Sequence, residues 1–214
     1  MGYELYVITD PAIGRGRSHE EIARRALDGG ADAVKLRYKS HSVRELVATG
    51  RHIRNVARDA DALFIVNDRL DVALACAADG VHLGQSDLPI ETARMLAPRD
   101  FIIGASVGCA AEAVRAVQHG ADYVAVSPVF PTSTKHDAGT ARGTVEIKRI
   151  RKVVEVPVIA IGGIGLSNVR EVLEAGADGV AVISAVVAQP DITRAARDLK
   201  ACISEVLRRL HRYA

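Results

Sequence analysis

The stretch Ser127–Lys135 combines side chains that suit the binding of a phosphate. It reads SPVFPTSTK and follows Tyr123–Val126, an apolar run typical of a buried strand. Its two prolines cannot donate to a sheet ladder, so the segment is predicted to be a loop. Three consecutive hydroxyl side chains precede the lysine. Hydroxyls, backbone N–H groups and an ammonium after a strand can hold a phosphate or diphosphate, whereas the alternative is a solvated surface loop.

The composition is that of a globular protein with one large core. The chain has 214 residues, of which 49% are hydrophobic and 25% charged, and its formal net charge is +2. These values predict a single domain over residues 1–214. The small charge, few aromatics and absence of tryptophan argue against nucleic-acid binding, and no apolar segment is long enough to span a membrane. Three cysteines without disulfide or CxxC spacing suit the cytoplasm, the expected location. The sequence leaves homo-oligomerisation open.

A short refrain recurs four times and predicts the architecture. Its copies are Gly29–Val34, Ala78–Val81, Gly120–Val124 and Gly176–Val180. Each follows a helical pattern and precedes an apolar run, as expected for a helix end, a turn and a buried parallel strand. With the apolar runs between the copies, strands are predicted near 4–9, 33–38, 63–67, 80–84, 101–106, 123–127, 157–162 and 179–184. This pattern predicts an α/β protein with a (β/α)₈ TIM barrel. A doubly wound sheet, the alternative, would need a glycine-rich turn after the first strand.

In such barrels the functional site lies at the C-terminal ends of the strands, and strand 2 ends in cations. Strand alternation directs Lys35, Arg37 and Lys39 to the inner face and Leu36 and Tyr38 to the other. Three cations would repel one another there without an anion to share. The run therefore predicts an anion site.

Two carboxylates follow the next strand ends. Asp68 comes directly after strand 3, and Asp87 closes the polar run after strand 4. Next to an anion site they predict a bridging Mg²⁺, whose remaining ligands would be phosphate oxygens and water. The alternative is that each aspartate only caps a helix. His82, within strand 4, is interpreted as a packed or hydrogen-bonded histidine, and His19 is interpreted as a surface residue.

The later strands end in small and neutral residues. Strand 7 ends in Gly162 and Gly163, with Ser167 expected to cap the next helix, and strand 8 ends in Ser184. Bare glycine backbone and a serine at this place fit the phosphate site common in these barrels. One mouth with a cationic site and a neutral site suits a diphosphate leaving group and a second substrate held by a monophosphate.

Four motifs in this order resemble the thiamine phosphate synthase family over the whole chain. They are Val66–Asp68, Asp79–Asp87, Pro128–Lys135 and Ile161–Ile164. The resemblance implies a (β/α)₈ barrel that joins 4-amino-2-methyl-5-hydroxymethylpyrimidine diphosphate to a thiazole phosphate or its carboxylated form, releasing pyrophosphate. No nucleic acid or membrane is implied as a partner.

The resemblance also implies roles for individual residues. The pyrimidine diphosphate would be bound by Arg37, Lys39, Asn67, Ser106 and Lys135, and by Lys35, Leu36 and Tyr38 of the same strand 2 motif. Of these, Arg37, Lys39, Ser106 and Lys135 would act in catalysis. Mg²⁺ would be bound by Asp68 and Asp87. The thiazole phosphate would be bound by Thr132, Ser133, Thr134, Gly163, Ile183 and Ser184.

Two departures from the family pattern affect the interpretation. Lys35 and Tyr38 stand where the family usually has glutamine and glutamate. The glutamine contacts the pyrimidine in the family, so this departure concerns pyrimidine recognition. The related thiazole tautomerases carry a histidine two residues after the strand 5 serine, where this chain has Gly108. The alternative functions are a non-catalytic or tautomerase-like barrel that binds a thiazole or thiamine phosphate, and an unrelated sugar-phosphate barrel.

Overall fold

A closed barrel of eight parallel strands, surrounded by helices, forms the protein. The structure is a computed structural model that describes residues 2–37, 42–132, 134 and 139–211. The strands are β1 (Leu5–Thr9), β2 (Ala33–Leu36), β3 (Leu63–Asn67), β4 (Gly80–Leu83), β5 (Ile102–Val107), β6 (Tyr123–Val126), β7 (Val158–Ile161) and β8 (Gly179–Val182). The helices are α1 (His19–Asp28), α2 (Val43–Asp59), α3 (Leu70–Ala75), α4 (Ile90–Leu96), α5 (Ala110–Gln118), α6 (Gly143–Arg151), α7 (Val169–Glu174), α8 (Ser184–Val187) and α9 (Ile192–His211).

Each strand pairs in parallel with the next one along the chain, and β8 pairs with β1. The predicted (β/α)₈ barrel is therefore confirmed, and the open sheet is excluded. Most strands are a residue or two shorter than predicted because the polar ends leave the ladder early. The clearest case is β2, whose pairing with β1 ends at Leu36 opposite Thr9. Within the described residues, none of the helices is long and apolar enough to cross a membrane.

Strand alternation divides the apolar side chains into two layers. The larger layer lies between the strands and the helices, and it contains one side of every strand. The smaller layer fills the barrel interior with Tyr6, Ile8, Ala33, Leu63, Ile65, Tyr123, Ala125, Ile159 and Ala181. This interior is packed rather than open, so only its C-terminal end can hold a ligand.

The aspartate of each refrain ties two strands together at the N-terminal end of the barrel. Its carboxylate accepts the backbone N–H of a residue at or near the start of the preceding strand. The pairs are Asp32 with Leu5 at 2.8 Å, Asp79 with Phe64 at 2.8 Å, Asp122 with Ile103 at 2.7 Å and Asp178 with Val158 at 2.7 Å. We call these four contacts the aspartate joints. They explain why the refrain recurs at every second strand.

A partly buried cation completes each aspartate joint. Arg54 of α2 pairs with Asp79 at 3.1 Å, and Arg151 of α6 pairs with Asp178 at 2.8 Å. Arg94 of α4 likewise pairs with Asp122. The fourth cation is Lys200 of α9, which lies 2.6 Å from Asp32. In three joints the cation comes from the helix that precedes, along the chain, the strand whose N–H the aspartate accepts. No such helix precedes β1 among the described elements, and α9 supplies the cation there.

Candidate active site

The ends of all eight strands surround one cavity of about 510 Å³. It lies at the C-terminal end of the barrel, where the strand directions require a site in this fold. The residues predicted from sequence that line it are Lys35, Arg37, Asn67, Asp68, Asp87, Ser106, Thr132, Thr134, Gly163, Ile183 and Ser184. Most of the predicted site thus comes together in space.

Leu36 is the exception among the described residues. Its side chain is 1% exposed and packs in the layer between strands and helices, not in the cavity. The expectation that it contacts substrate is wrong for its side chain, because alternation turns it away from its neighbours Lys35 and Arg37. The predictions for Tyr38, Lys39, Ser133 and Lys135 concern positions outside the described residues.

The cationic side of the cavity is built by β1 and β2. Arg37 follows β2, and its Nη1 lies 3.1 Å from Oδ2 of Asp10, which follows β1. Asp10 is itself fixed, because its Oδ1 accepts the N–H of Ala12 at 3.1 Å. Deeper in the barrel, Lys35 is 3% exposed, with its Nζ 5.7 Å from the centre of the Tyr6 ring. An aromatic face stabilises a cation at this depth.

The two predicted metal ligands lie on the same side of the cavity mouth. Asp68 has φ 65°, a backbone conformation uncommon outside glycine, and its N–H donates to the carbonyl of His82 at 2.8 Å. Asp87 Oδ2 accepts the N–H of Gly84 at 2.6 Å. Neither residue is a helix cap, since Arg69 and Pro89 hold those places. Their carboxylate oxygens are the donor type that Mg²⁺ requires.

Two carboxylates make only part of a magnesium shell. Among the residues described by the structure, no group of three or more His, Cys, Asp or Glu side chains could hold a metal by itself. An ion bound here would need oxygens from a ligand, which is how Mg²⁺ binds in phosphate-transfer sites. The donor set therefore fits Mg²⁺ delivered with a phosphate rather than a closed structural metal site.

Ser106 joins the cavity to a hydrogen-bonded chain inside the barrel. Its Oγ lies 2.9 Å from Nε2 of His82, and Nδ1 of His82 lies 2.9 Å from the hydroxyl of Tyr123. Tyr6 follows, with 3.4 Å between the two tyrosine hydroxyls. Burial raises the pKa of both Tyr123 and Tyr6 above the ordinary value of 10.0, so both phenols keep their protons at neutral pH. The interpretation of His82 as a hydrogen-bonded core histidine is confirmed.

The neutral side of the cavity is formed by the turn after β7 and the start of α8. Gly163 has φ 65°, and a Cβ there would lie 2.7 Å from the carbonyl oxygen of Pro131. The glycine is therefore required by the loop after β6 as well as by any phosphate. Asn168 holds the turn, because it accepts from the N–H of Gly165 and donates to the carbonyl of Gly163, both at 2.9 Å. Asn168, not Ser167, is the residue before α7.

An arginine occupies the space above Gly108. A Cβ at Gly108 would lie 2.8 Å from Nη2 of Arg142, which also lines the cavity. The Gly108 N–H donates to Glu112 Oε2 at 2.7 Å. A histidine at position 108 would therefore require the end of the flexible Arg142 side chain to move. This is the position that carries a histidine in the thiazole tautomerases.

Sequence reasoning missed several residues of the site. Asp10 had a usable signal, since it directly follows β1 as Asp68 directly follows β3. Arg142 and Tyr123 had none, because one follows a long loop and the other looks like an ordinary strand residue. His19 was wrongly expected at the surface: it is 4% exposed, and its Nδ1 lies 2.6 Å from Oγ1 of Thr9.

Comparison with known proteins gives a consistent result. Residues 5–186 match the family described as thiamine monophosphate synthase. The chain is 63% identical over 200 residues to the thiamine-phosphate synthase of Methanoregula boonei, covering 94% of this chain and 93% of that protein. It is 58% identical to the thiamine-phosphate synthase of Methanoculleus marisnigri, covering 94% and 95%.

Solved structures agree with the sequence comparison. The thiamine phosphate pyrophosphorylase of Pyrococcus furiosus superposes with a TM-score of 0.89 at 46% identity, covering 96% of this chain and 97% of that one. A 3-hexulose-6-phosphate synthase superposes with a TM-score of 0.70 at 16% identity, a likeness of fold alone.

Proposed function

This chain belongs to the thiamine monophosphate synthase family, and from that premise we propose that its cavity makes thiamine phosphate. The enzyme is a transferase. It joins 4-amino-2-methyl-5-hydroxymethylpyrimidine diphosphate to a thiazole phosphate and releases pyrophosphate. With the carboxylated form of the thiazole phosphate, the carboxyl group also leaves as CO₂. The observation that carries this proposal is the single cavity that combines Arg37, Asp68 and Asp87 on one side with Gly163 and Ser184 on the other.

The cationic side suits the diphosphate. In the reaction the bond between the exocyclic carbon and the diphosphate oxygen breaks, and the oxygen keeps the electron pair. Arg37, held by Asp10, would stabilise the negative charge that grows on the departing pyrophosphate. Ser106 and Asn67, which line the same cavity, would bind the diphosphate or the pyrimidine. Lys39 and Lys135 are proposed to add charge from positions outside the described residues.

We propose that Mg²⁺ accompanies the diphosphate and is bound by Asp68 and Asp87. When bound, the ion would neutralise part of the leaving group's charge. The two aspartates would position it beside Arg37, leaving the other coordination positions to phosphate oxygens and water. This division agrees with a metal site to which the described residues are proposed to contribute two carboxylates.

The neutral side suits the thiazole phosphate. Its phosphate would lie against the backbone of Gly163 and the Ile183–Ser184 turn, with Thr132 and Thr134 beside it. Thus anchored, the thiazole nitrogen can attack the exocyclic carbon and form the new C–N bond. The step needs no general base, because the attacking nitrogen carries no proton to lose.

The two alternative functions are less well supported. A tautomerase-like enzyme would place a histidine at position 108, where this chain has a glycine below Arg142. A protein that only binds thiazole phosphate would have no use for the paired carboxylates and Arg37. The direct test mixes both substrates with the protein and Mg²⁺, with and without EDTA, and measures thiamine phosphate and pyrophosphate. The proposal expects equal amounts of the two products and their loss in EDTA, and binding without turnover contradicts it.

The metal assignment makes a separate prediction. Asp68→Asn and Asp87→Asn should each raise the Mg²⁺ concentration needed for half-maximal activity by at least about tenfold, because each loses one charged ligand. Asparagine tolerates the positive φ of Asp68, so the melting temperature should change little. Activity across a Mg²⁺ titration checks this, with Asp71→Asn on α3 as the control outside the cavity. Parent-like Mg²⁺ curves for both cavity variants would refute the assignment.

A further inference from the structure

A polar chain inside the barrel ends at Ser106, and its direction determines what the serine offers to a ligand. Tyr123 contacts Nδ1 of His82, and Nε2 of His82 contacts Ser106 Oγ, each at 2.9 Å. Tyr123 is fully buried and His82 is 3% exposed, whereas Ser106 is only partly buried and lines the cavity. The chain therefore connects the closed interior to the ligand site.

The barrel is built to bring these side chains together. In the strand register His82 stands opposite Gly104, and Gly104 stands opposite Tyr123. A Cβ at Gly104 would overlap the Tyr123 ring, so only glycine lets the two side chains meet across β5. The rings of His82 and Tyr123 then stack with their centres 5.6 Å apart. Glycine at position 104 is thus required for the hydrogen-bonded chain between Tyr123, His82 and Ser106 to form.

A neutral imidazole has one donor and one acceptor, so two arrangements are open to His82. In the first, Tyr123 donates to Nδ1, the proton sits on Nε2, and Nε2–H donates to Ser106 Oγ. The serine hydrogen is then directed to the cavity. In the second, Ser106 donates to Nε2 and Nδ1–H donates to Tyr123. The serine then presents only lone pairs to the cavity and cannot bind an anion.

We propose that His82 is a positioning residue that is held by Tyr123 as the Nε2–H tautomer and turns the Ser106 hydroxyl hydrogen toward the diphosphate. This inference rests on the proposed function, in which Ser106 contacts an anion that can only accept hydrogen bonds. The Tyr123 phenol can act as the donor because its hydroxyl is protonated at neutral pH, and burial raises its pKa still further from that range.

The tautomer can be read without any turnover. The two neutral tautomers and the imidazolium give different ¹⁵N chemical shifts, and the variant His82→Gln identifies the His82 signals among those of the seven histidines. In the full-length protein at neutral pH the proposal expects the Nε2–H form, both alone and with Mg²⁺ and inorganic pyrophosphate. Pyrophosphate should also shift the Nε2 signal. An Nδ1–H form or an imidazolium would overturn the proposal.

Kinetics give a second, independent readout. Tyr123→Phe removes the donor to Nδ1 but keeps the ring, so it should raise the KM of the pyrimidine diphosphate by about two- to tenfold and leave the KM of the thiazole phosphate unchanged. Added to Ser106→Ala, it should have no further effect, because both act through one hydrogen bond to the ligand. Additive effects of the two changes would contradict the chain.

Tyr3→Phe is the matched control. Tyr3 packs on the same Tyr123 ring, with centres 5.2 Å apart, yet it is not part of the chain to Ser106. It should leave both KM values unchanged. Thiamine phosphate formed by a protein with the Nδ1–H tautomer would refute only this inference. The Nε2–H tautomer with a pyrophosphate-dependent shift, in a protein that forms no thiamine phosphate, would support it and refute the proposed function.

Discussion

Arg37 reaches the cavity as one half of a nearly buried ion pair. Its side chain is 14% exposed and that of Asp10 is 15% exposed, so water screens their attraction only partly. A guanidinium with a carboxylate on one side keeps its remaining N–H groups for a second anion. Asp10 therefore fixes the direction in which Arg37 presents its charge, although Asp10 itself does not line the cavity.

Removal of Asp10 should weaken diphosphate binding through Arg37. Asp10→Ala is expected to raise the KM of the pyrimidine diphosphate roughly tenfold or more, whereas Asp10→Asn, which still accepts a hydrogen bond, should have a smaller effect. The KM of the thiazole phosphate should stay constant. Asp198→Ala is the control, because its ion pair with Arg194 is exposed and lies on α9. An unchanged diphosphate KM in Asp10→Ala would contradict this role.

Lys35 lies deeper in the barrel than Arg37, and this depth distinguishes two possible roles for it, which are to bind the pyrimidine or to bind the diphosphate. Arg37 stands at the mouth, whereas Lys35 is nearly closed off above the Tyr6 ring. A side chain at this depth suits the pyrimidine better than its diphosphate. Lysine donates but cannot accept, so it cannot replace every contact of the glutamine usual in the family.

Lys35→Gln is therefore expected to keep or raise kcat, with the diphosphate KM changed less than about tenfold. Lys35→Met, which keeps the length but removes the donor, should raise that KM more. Steady-state kinetics of both variants check this. If Lys35→Gln alone raises the diphosphate KM by about ten- to a hundredfold, Lys35 binds the diphosphate instead, since that is the effect of losing one charge-assisted contact.

At the scale of elements, the turn after β7 and the loop after β6 support each other. The backbone N–H groups of Val129 and Phe130 donate to the carbonyls of Ile161 and Gly162 at 2.8 and 3.0 Å. Gly163 then packs against the same loop with no room for a side chain. The two segments that flank the neutral side of the cavity consequently behave as one unit.

A side chain at position 163 should disturb the loop after β6, which leads to Lys135, the residue proposed to bind the diphosphate. Both substrates' sites should therefore be damaged rather than the phosphate site alone. Gly163→Ala is expected to destabilise the protein by about 1–2 kcal/mol, the cost of a left-handed residue with a Cβ, and to raise both KM values. Gly165→Ala is the matched control, because its Cβ would make an ordinary 3.6 Å contact with Ala185. Urea unfolding and kinetics check the pair. Equal stability of the two variants would contradict the packing argument.

Sequence could predict the strands and helices but not which side chains from different elements come into contact. Alternation along β2 predicts the inner and outer faces of Lys35, Leu36 and Arg37, because it is a local property of a strand. The meeting of His82 with Tyr123 depends on a glycine in the strand between them, and so on a register that only the closed barrel defines. The refrain likewise marked the turns but not the cations that pair with its aspartates.

At the scale of the whole molecule, the aspartate joints give the N-terminal end of the barrel a fourfold repeat. The cavity occupies the opposite end, so these ion pairs contribute to stability and not to the site. The joint at Asp32 differs from the other three because its cation, Lys200, also lies 2.7 Å from Glu4. The carboxylates of Glu4 and Asp32 thus share the ammonium group of Lys200 on α9.

Lys200→Met should destabilise the barrel without altering substrate binding. It leaves Glu4 and Asp32 without their shared cation, and the loss is expected to be about 1.5–3 kcal/mol in the free energy of unfolding. Arg58→Met is the control, since its contact with Asp59 is 3.8 Å long and highly exposed, and its effect should be within about 0.5 kcal/mol. Denaturant unfolding measures both. Equal free energies of unfolding for the two variants would contradict the importance of this joint.

The order in which the joints can form follows from their positions along the chain. As the polypeptide is synthesised, Arg54, Arg94 and Arg151 emerge 25, 28 and 27 residues before the aspartates that they bind. Asp32 must wait for Lys200, which emerges 168 residues later. Three quarters of the barrel can therefore complete their joints while translation continues. The joint at Asp32 belongs to the part of the barrel that is synthesised first, yet it is the last of the four that can form, because it needs Lys200 of α9.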